Sequence, residues 1–594
     1  MIRTILVSKF AGSIGLLFFA ISLAAAANAV PKPNLILITL DSVRADRVGF
    51  LGSKSNATPN LNRLAAESIV FERAYAQAPG TLVSHATILT GSYPQSTGFS
   101  EIGGTLPPSL PYLPDLFRAQ GYRTAAFVSL IDLDPRNGLA QGFDRGFETY
   151  DAGCRPVIPG DARPPIAERS GAETVPRIVA WVNRNAQAPF FVWVHISDAS
   201  ATRASYDSAV TMADAAIGKL LAALKAQKLE SDTAIVVVAD HGQGLGAHGE
   251  ETHGIFLYDE TIHVPLLIKL PESQHSAESA SVRHVTARVR LVDIAPTLLE
   301  IAGIPVPSQM QGQSLLRIAK SGNSADQPVY SRSDLPQRGF GWSPLESWRS
   351  GKYLYIRAPK PELYDTMSDP GATHNLAQSS KATLDTIAAQ LESFDRRFSG
   401  EAGKASSELS SSELQKLASL GYVGLQKSSS AVTAVTGIDP KDRIVTANKV
   451  IDVAPSALAP SNPDRVISVL TPVVAAEPNQ YLAQYALGVA LAEKASRFPS
   501  PGGRTADAQK ALYTEAAQHL HKAIELQPDS GWAHYEIGTT LMQVGDFKTA
   551  AIHLEIATSR LPNFAPAHAA LAQAYDHMGR NEDAKKERSK AGQN

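Results

Sequence analysis

Acidic and histidine side chains stand at the ends of several hydrophobic runs in this 594-residue sequence. Asp41, Asp198 and the pair Asp240-His241 each follow such a run. If the runs are parallel strands, their carboxyl ends gather at one edge of a sheet, where open α/β sheets bind ligands. Carboxylates and imidazoles are ligands of divalent cations. The pattern therefore predicts a metal site at that edge.

A glycine-rich loop after the Asp-His pair strengthens this prediction. Residues 242–246 read Gly-Gln-Gly-Leu-Gly, which allows the backbone to approach a bound group closely. His248 and His253 follow in the next few residues. A purely structural role for the whole cluster is the less favoured interpretation. His195 and Asp198 form a weaker pair, for which a core histidine and a loop aspartate are an equally good interpretation.

Thr81 follows a Pro-Gly turn and begins a predicted helix that contains His85 and ends before Gly91. Judged by residue type alone, a helix-capping threonine is the favoured interpretation, because threonine is common at that position. The amino end of a helix is also a place where an anionic ester settles, since its backbone N–H groups are unpaired.

The hydrophobic runs alternate with helical patterns along the first two thirds of the chain. Five runs suit strands buried on both faces of a mainly parallel sheet, namely 34–40, 124–129, 189–196, 234–239 and 264–270. Helical spacing recurs between them at 59–68, 112–120 and 209–225. The alternation predicts an α/β fold with a mainly parallel central sheet flanked by helices.

The composition excludes several classes of protein. The net charge is −2 and only 19% of the residues are charged, so no basic surplus is available for nucleic acid. Hydrophobic residues make up 44%, enough for several cores. The single cysteine, Cys154, excludes a disulfide within the chain and a zinc site built on several thiolates.

The first 29 residues have the pattern of a secretory signal. Arg3 and Lys9 precede an apolar run at 14–27, and Ala27-Asn28-Ala29 is an A-x-A cleavage site. The alternative is a retained anchor, but the run is short for a membrane span. We expect an exported chain, periplasmic or secreted, with no transmembrane segment after cleavage.

The C-terminal part of the chain repeats itself with a period of 34 residues. Pro528, Ala533, Gly545 and Ala550 recur as Pro562, Ala567, Gly579 and Ala584. A third copy begins at Pro478, and an insertion at 498–508 lengthens its spacing. The pattern resembles the tetratricopeptide repeat, a helix pair that stacks on its neighbours. It predicts an all-α repeat domain at 456–594 after a Ser/Gly/Ala-rich linker at 401–455.

Stacked helix pairs form a groove for a peptide or a partner domain, so we expect a protein partner at the repeats. The alternative is an appendage that packs on the catalytic part of the chain and stabilises it. No basic stripe in the repeats supports binding of nucleic acid.

The motifs of residues 33–400 resemble the sulfatase branch of the alkaline phosphatase superfamily. The resemblance rests on Asp41, on Thr81-x-x-Ser84-His85-x-x-x-x-Thr90-Gly91 and on Asp240-His241-Gly242, in the family's order and spacing. Later motifs, such as Glu362-Leu-Tyr-Asp365, are similar to its C-terminal subdomain. The resemblance implies an alkaline-phosphatase-like fold, a divalent cation, and hydrolysis or transfer of an anionic ester.

At the position of Thr81, sulfatases carry a cysteine or serine that is oxidised to formylglycine, and threonine cannot be converted, so no formylglycine is expected. Relatives that act on phosphorus esters use a threonine there. The resemblance to them implies that Thr81 is the nucleophile and that Asp41, Thr81, Asp240 and His241 hold the metal. The mixed oxygen and nitrogen set favours zinc or manganese, with calcium or magnesium as alternatives.

The family's positively charged residues are missing from this chain. His85 replaces the arginine four residues after the nucleophile, and His253 stands near the place of a lysine. We expect both to act as catalytic hydrogen-bond donors to the ester. His195, Asp198 and His248 are the candidate substrate-binding residues.

Two further differences from the family's motifs affect residues that would bind metal. Ser42 replaces the second acid of the usual Asp-Asp pair, and the mid-chain motif after Asp198 lacks a histidine. The missing histidine weakens a second metal site made with His253, so one tightly bound metal is favoured.

Three functions fit these motifs. The first is an exported metal-dependent hydrolase or transferase of phosphate or phosphonate esters, with Thr81 as nucleophile. The second is a catalytically impaired protein that binds an anionic group or acts as a scaffold. The third is a sulfatase without formylglycine, which ranks last because a threonine sulfate has no easy route of release.

Overall fold

A computed structural model describes residues 32–154, 168–198, 205–274, 284–321, 326–398, 409–420, 422, 437–458, 462–498 and 504–592. The predicted signal segment 1–29 lies outside these residues.

Strands and helices alternate through the first part of the chain. The strands are β1 (Asn34–Leu40), β2 (Ile69–Tyr75), β3 (Phe99–Ser100), β4 (Gly103–Thr105), β5 (Arg123–Phe127), β6 (Ala140–Gln141), β7 (Thr149–Asp151), β8 (Phe190–Ile196), β9 (Thr233–Ala239), β10 (His263–Lys269), β11 (His284–Arg290), β12 (Val329–Ser333), β13 (Leu345–Ser350), β14 (Tyr353–Arg357) and β15 (Glu362–Asp365).

The helices that accompany these strands flank the sheets. They are α1 (Pro59–Ala65), α2 (Thr81–Thr90), α3 (Pro94–Thr97), α4 (Leu113–Ala119), α5 (Gly171–Asn185), α6 (Tyr206–Ala226), α7 (Asp259–Ile262), α8 (Ile294–Ile301), α9 (Leu315–Ser321), α10 (Leu335–Phe340) and α11 (Lys381–Phe398). Helices follow almost without interruption in the last part of the chain. They are α12 (Ser411–Ser419), α13 (Ile444–Leu458), α14 (Pro463–Ala476), α15 (Tyr481–Ser496), α16 (Arg504–Leu526), α17 (Gly531–Gln543), α18 (Phe547–Arg560), α19 (Ala565–His577) and α20 (Asn581–Ala591).

An eight-stranded sheet forms the centre of the first part, in the order β11-β2-β10-β9-β1-β8-β5-β7. All seven residues of β1, β8 and β9 are buried, as runs without polar alternation predict. The five predicted strands are all present. One orientation differs, because β10 pairs antiparallel with both β9 and β2, so the sheet is mixed. A run buried on both faces does not reveal strand direction.

Two smaller sheets stand beside the central one. Strands β12 to β15 form an antiparallel sheet on which α11 packs through Ile387, Leu391 and Phe394. The short strands β3, β4 and β6 form a third sheet next to the helix α2. Sequence periodicity gave no signal for these two- and three-residue strands.

Part of the predicted linker at 401–455 is helical. Helix α12 begins with a capping box, in which Ser410 and Glu413 each accept the other's backbone N–H. The carboxylate of Glu413 also binds the guanidinium of Arg560 at 2.7 Å through two nitrogens. The serine-rich composition of this segment concealed a helix start signal. Helix α13 also lies largely inside the predicted linker.

The C-terminal helices pack on their sequence neighbours in pairs. Helices α17 and α19 begin 34 residues apart, as do α18 and α20. This spacing equals the period of the sequence pattern. Among the described residues, no helix combines the length and apolar character needed to cross a bilayer.

A hydrogen-bonded bracket recurs in three of these helix pairs. On the first helix, the residues Gln484, His534 and His568 bind the carbonyl of the proline six positions earlier. On the second helix, their partners are His519, His553 and Glu587, at 2.7, 2.9 and 2.6 Å respectively. Burial lowers the pKa of His534 to about 4, and burial together with His534 lowers the pKa of His553.

We predict that acid destabilises the C-terminal helices through the bracket of His534 and His553. Both histidines have depressed pKa values in the folded state, so the unfolded chain takes up their protons first as the pH falls below about 6.5. Glutamine makes the same two bonds at Gln484, so His534→Gln should keep the bracket without the titration. Between pH 8 and pH 5, the free energy of unfolding should fall by about 2 kcal/mol more in the wild type than in the variant, measured by urea unfolding.

The exposed His374 provides the control, because His374→Gln should leave the pH dependence unchanged. Equal pH dependence in the wild type and His534→Gln would contradict the prediction.

Candidate active site

Three neighbouring parallel strands bring the acidic and histidine residues to one edge of the central sheet. β1 lies between β8 and β9, and Thr39 pairs with His195. Beyond the strand ends, the N–H of Asp41 donates to Ile196 at 2.9 Å and the N–H of Asp240 donates to Leu40 at 3.1 Å. The ladder thus fixes both aspartates beside each other, as the sheet-edge argument predicts.

Thr81 reaches this edge from the amino end of α2, a helix in which all ten residues are buried. Its Oγ1 lies 3.1 Å from His241 Nε2. His241 Nδ1 lies 2.8 Å from the carbonyl of Gly242 and donates to it, so Nε2 carries the lone pair. The threonine hydroxyl therefore donates to His241 and is held beside the aspartates.

Asp41 and Asp240 form a buried carboxyl pair around His241. His241 Nε2 lies 3.9 Å from Asp41 Oδ1 and 3.5 Å from Asp240 Oδ2. Burial and the neighbouring Asp41 raise the pKa of Asp240 well above its ordinary value. Burial also acts to raise the pKa of Asp41, but His195 and His241 lower it and their effect prevails. Only one of the two carboxyl groups is therefore readily ionised, unless a bound cation compensates the negative charge of the second.

The donor atoms fit a divalent cation. The ligand atoms of Asp41, Asp240 and His241 all lie within 4.8 Å of one another. Among the described residues, Asp240 Oδ2 has no hydrogen-bond partner although it is fully buried. The same holds for His195 Nε2, which lies 3.6 Å from Asp41 Oδ2. Buried polar atoms of this kind are paired in most proteins, so these orphan atoms indicate a bound group.

His85 does not face the space around Thr81 as the sequence led us to expect. Its Nδ1 donates to the Thr81 carbonyl at 2.7 Å, and its Nε2 accepts from Thr39 Oγ1 at 2.9 Å. Burial and His195 lower the pKa of His85 well below its ordinary value. A neutral, fully buried ring with both nitrogens committed cannot replace an arginine that binds the ester, so its effect is to hold the start of α2.

His253 does lie in the cluster. Its ring is tilted over that of His241 at 4.2 Å between centroids, and its Nδ1 donates to Gln243 Oε1 at 2.7 Å. Burial and His241 lower the pKa of His253 to about 3, so the ring is neutral at physiological pH. With Nδ1 protonated, its Nε2 is a hydrogen-bond acceptor rather than the donor we expected.

Two of the predicted substrate-binding residues make other contacts. Asp198 Oδ2 accepts the backbone N–H of Gly171 at 2.8 Å, so it fixes the start of α5. His248 stacks on Tyr258 at 3.6 Å between ring centroids and lies 3.9 Å from Glu260. These contacts place neither side chain among the groups around Asp41 and Asp240, and their predicted roles in substrate binding stay predictions. His195 alone of the three is in the cluster.

Sequence reasoning missed three residues near the cluster. Ser42 donates its hydroxyl to Asp41 Oδ1 at 2.6 Å and its N–H to Asp240 Oδ1 at 3.2 Å. Asp132 follows β5, and burial and Asp41 raise its pKa to about 6. Glu101 lies against the start of α2, and burial raises its pKa to about 8. The sheet-edge argument could have found Asp132, whereas Glu101 belongs to no motif.

Comparison with known proteins accounts for this arrangement. Residues 33–304 match the family model described as Sulfatase. Residues 251–396 match the model described as N-sulphoglucosamine sulphohydrolase, C-terminal. Together the two matched regions span residues 33–396. The fold is similar to that of solved sulfatases, for example a 2-O GAG sulfatase with a TM-score of 0.50, 22% identity, and coverage of 62% of this chain and 93% of that chain.

The curated proteins that resemble this chain include several sulfatases. The chain is 26% identical over 414 residues to the ulvan-active sulfatase of Formosa agariphila, covering 61% of this chain and 80% of the relative. It is 25% identical over 421 residues to a Δ4,5-hexuronate-2-O-sulfatase of Bacteroides thetaiotaomicron, covering 60% and 87%. The fold is also that of a phosphonate monoester hydrolase of Agrobacterium radiobacter, with a TM-score of 0.50, 19% identity, and coverage of 62% and 96%.

We predict that the carboxyl pair governs metal binding. Excess zinc or manganese should raise the melting temperature of metal-free wild type, because a ligand at 100 times its Kd stabilises by about 2.7 kcal/mol. Asp240→Asn should abolish this shift while leaving the metal-free protein at least as stable, since an amide can accept the N–H groups of Ser42 and His241 and removes a competing charge. Differential scanning calorimetry with and without metal measures both effects.

Asp198→Asn is the matched control. It weakens the start of α5 and should lower the melting temperature, but it should keep the metal-dependent shift. A full metal shift in Asp240→Asn would show that the metal binds elsewhere.

Proposed function

We propose that this chain hydrolyses or transfers anionic esters with Thr81 as the nucleophile, and that phosphorus esters are preferred to sulfate esters. The observation that carries the proposal is the position of Thr81 Oγ1, 3.1 Å from His241 Nε2 and next to the buried pair Asp41 and Asp240. A threonine that only capped the helix would not need His241 and two buried carboxyl groups beside its hydroxyl. Gly80, not Thr81, is the capping residue of α2.

The residues of the chain prepare Thr81 for attack. His241 orients the hydroxyl of Thr81. His85, which lies one helical turn further along α2, donates to the Thr81 carbonyl and holds it in place. The backbone N–H groups at the start of α2 can receive the ester oxygens. A divalent metal held by Asp41, Asp240, His241 and Thr81 would lower the pKa of the hydroxyl and offset the charge of the ester.

The reaction balances in two half-reactions. In the first, Oγ1 bonds to phosphorus, the bond to the alcohol breaks, and the alcohol leaves with the proton of the threonine hydroxyl. In the second, water or an acceptor alcohol attacks the threonine ester and restores the hydroxyl. A threonine sulfate lacks an equally easy release, which is our reason for preferring phosphate and phosphonate esters. The fold shared with a phosphonate monoester hydrolase is compatible with this preference.

We predict that Thr81 is required for turnover. The wild type with added zinc or manganese should hydrolyse aryl phosphodiesters or phosphonates, and Thr81→Ala should lower kcat at least about a thousandfold, because the covalent route is lost. Thr81→Ser, which keeps a hydroxyl, should retain activity within about tenfold to a hundredfold. Steady-state kinetics on matched phosphate, phosphonate and sulfate esters measure the difference.

The sulfate arm of this assay is essential because several relatives are sulfatases, including enzymes named for ulvan and for a hexuronate sulfate. Sulfate turnover that persists in Thr81→Ala would contradict the proposed nucleophile. No turnover of any ester by metal-loaded wild type would favour a binding or scaffolding role instead.

We propose zinc or manganese as the metal, with calcium or magnesium less favoured. The support is the donor set, since His241 Nε2 accompanies two carboxylates and imidazole suits zinc and manganese better than calcium. Without a cysteine or serine at position 81, formylglycine has no precursor there.

We also propose that the chain is exported and that its C-terminal helices form tetratricopeptide-like repeats. The signal pattern at 1–29 supports export. The 34-residue helix spacing and the three brackets support stacked repeats that bind a protein partner. The repeat helices also contact the sulfatase-like part of the chain, since Gln527 donates to the carbonyl of Arg338 and Gln141 donates to that of Arg560. These contacts also fit the alternative role of a stabilising appendage.

A further inference from the structure

Glu101 is a buried carboxyl group that the mechanism above leaves unused. It lies between β3 and β4, outside every sequence motif. A Cβ atom built on Gly80 would collide with its carboxyl group, so the carboxyl lies against the residue that precedes Thr81. In the part of the chain that the structure describes, Glu101 Oε1 is buried and has no hydrogen-bond partner.

The loop that carries Glu101 is fixed by its neighbours. Ser100 accepts a hydrogen bond from Arg338 at 3.3 Å, and Arg338 pairs with Asp529 at 3.6 Å. Ile102 packs against the main hydrophobic core. The carboxyl group is therefore held at the start of α2 rather than extended into solvent.

The electrostatic surroundings of Glu101 are acidic. His241, Asp240 and Asp132 are close enough for their charges to act on its pKa. Among the described residues, no lysine or arginine forms a hydrogen bond or ion pair with Asp41, Thr81, Asp240 or Glu101. The space beside Thr81 thus has carboxyl groups on several sides, and in the described part of the chain no lysine or arginine is paired with them.

This charge balance limits the ester that fits. One divalent cation compensates Asp41 and Asp240 and leaves nothing for further anions. A dianionic ester would bring two charges next to Glu101, whereas a monoanion brings one. An ionised Glu101 repels the second charge, whereas a protonated Glu101 donates one hydrogen bond but adds no cation, so neither state supplies the positive charge that a dianion needs.

We propose that Glu101 is a specificity-determining residue that restricts the site to esters with a single negative charge and excludes dianionic phosphate monoesters. The accepted class comprises phosphodiesters, phosphonate monoesters and sulfate monoesters. The inference rests on the proposed function, because it assumes that the ester binds at Thr81.

Glu101→Gln tests this role, since it keeps the shape of the side chain and removes the negative charge. With metal-loaded enzyme at pH 9, where Glu101 is mostly ionised because burial raises its pKa to about 8, the wild type should prefer an aryl phosphodiester or aryl phosphonate monoester to the matching aryl phosphate by at least about tenfold in kcat/KM. The variant should gain about tenfold on the aryl phosphate and change by less than about threefold on the monoanions. Structural damage would lower all three values, so it cannot produce a gain on one substrate.

Glu67→Gln, on the surface at the end of α1, is the matched control and should leave the ratio unchanged. An unchanged ratio in Glu101→Gln, or a wild-type preference for the aryl phosphate, would overturn the role of Glu101 even if Thr81→Ala shows that Thr81 is the nucleophile. If the wild type turns over no ester, the proposed function fails, and calorimetry decides the role of Glu101. Equal affinities of metal-loaded wild type for phenyl phosphate and for monoanionic phenyl methylphosphonate would then overturn it.

Discussion

The arrangement of the site depends on two carboxyl groups that the sheet forces together in a dry environment. Asp41 and Asp240 follow adjacent parallel strands, and backbone hydrogen bonds continue past the strand ends to fix them. Like charges held this way are unfavourable without compensation. The fold reduces the cost on both sides, because the Ser42 hydroxyl donates to Asp41 Oδ1 and the N–H groups of Ser42 and His241 donate to Asp240 Oδ1. Ser42 adopts a left-handed backbone conformation (φ 61°) that accompanies these contacts.

Two of the surrounding histidines supply lone pairs and hydrogen bonds rather than positive charge. His85 is neutral and braced by Thr39, which in turn accepts from the indole of Trp193 at 3.0 Å. His253 is neutral because burial and His241 oppose its protonation. These two rings do not compensate the carboxyl pair, which favours compensation by a bound cation. This distinguishes the chain from a sulfatase that places an arginine and a lysine around the ester.

The sequence predicted the elements that a simple periodicity can reveal and missed those that depend on distant partners. The buried strands carry no polar alternation, so their positions were readable, but the antiparallel direction of β10 was not. Strand ends and motif spacing predicted that Asp41, Thr81, Asp240 and His241 lie together, and the structure brings them together. The contacts of Asp198 with Gly171 and of His85 with Thr39 could not be predicted, because these partners lie far away in sequence. Glu101 was missed because only the tertiary fold brings it to Gly80.

The C-terminal helices are coupled to the site through a small number of polar contacts. Asn448 on α13 donates to the carbonyl of Gly249 at 2.7 Å and accepts the N–H of Glu251 at 3.2 Å. This loop leads directly to His253.

The loop of Glu101 has an equivalent connection, since Arg338 bonds to Ser100 and its carbonyl accepts from Gln527, at the end of α16. A loop that is held by hydrogen bonds from a separate group of helices is fixed only while those helices stay folded. The brackets of His534 and His568 therefore bear on the geometry around Thr81, although neither residue is near it. The helical region is therefore also part of the support of the candidate active site.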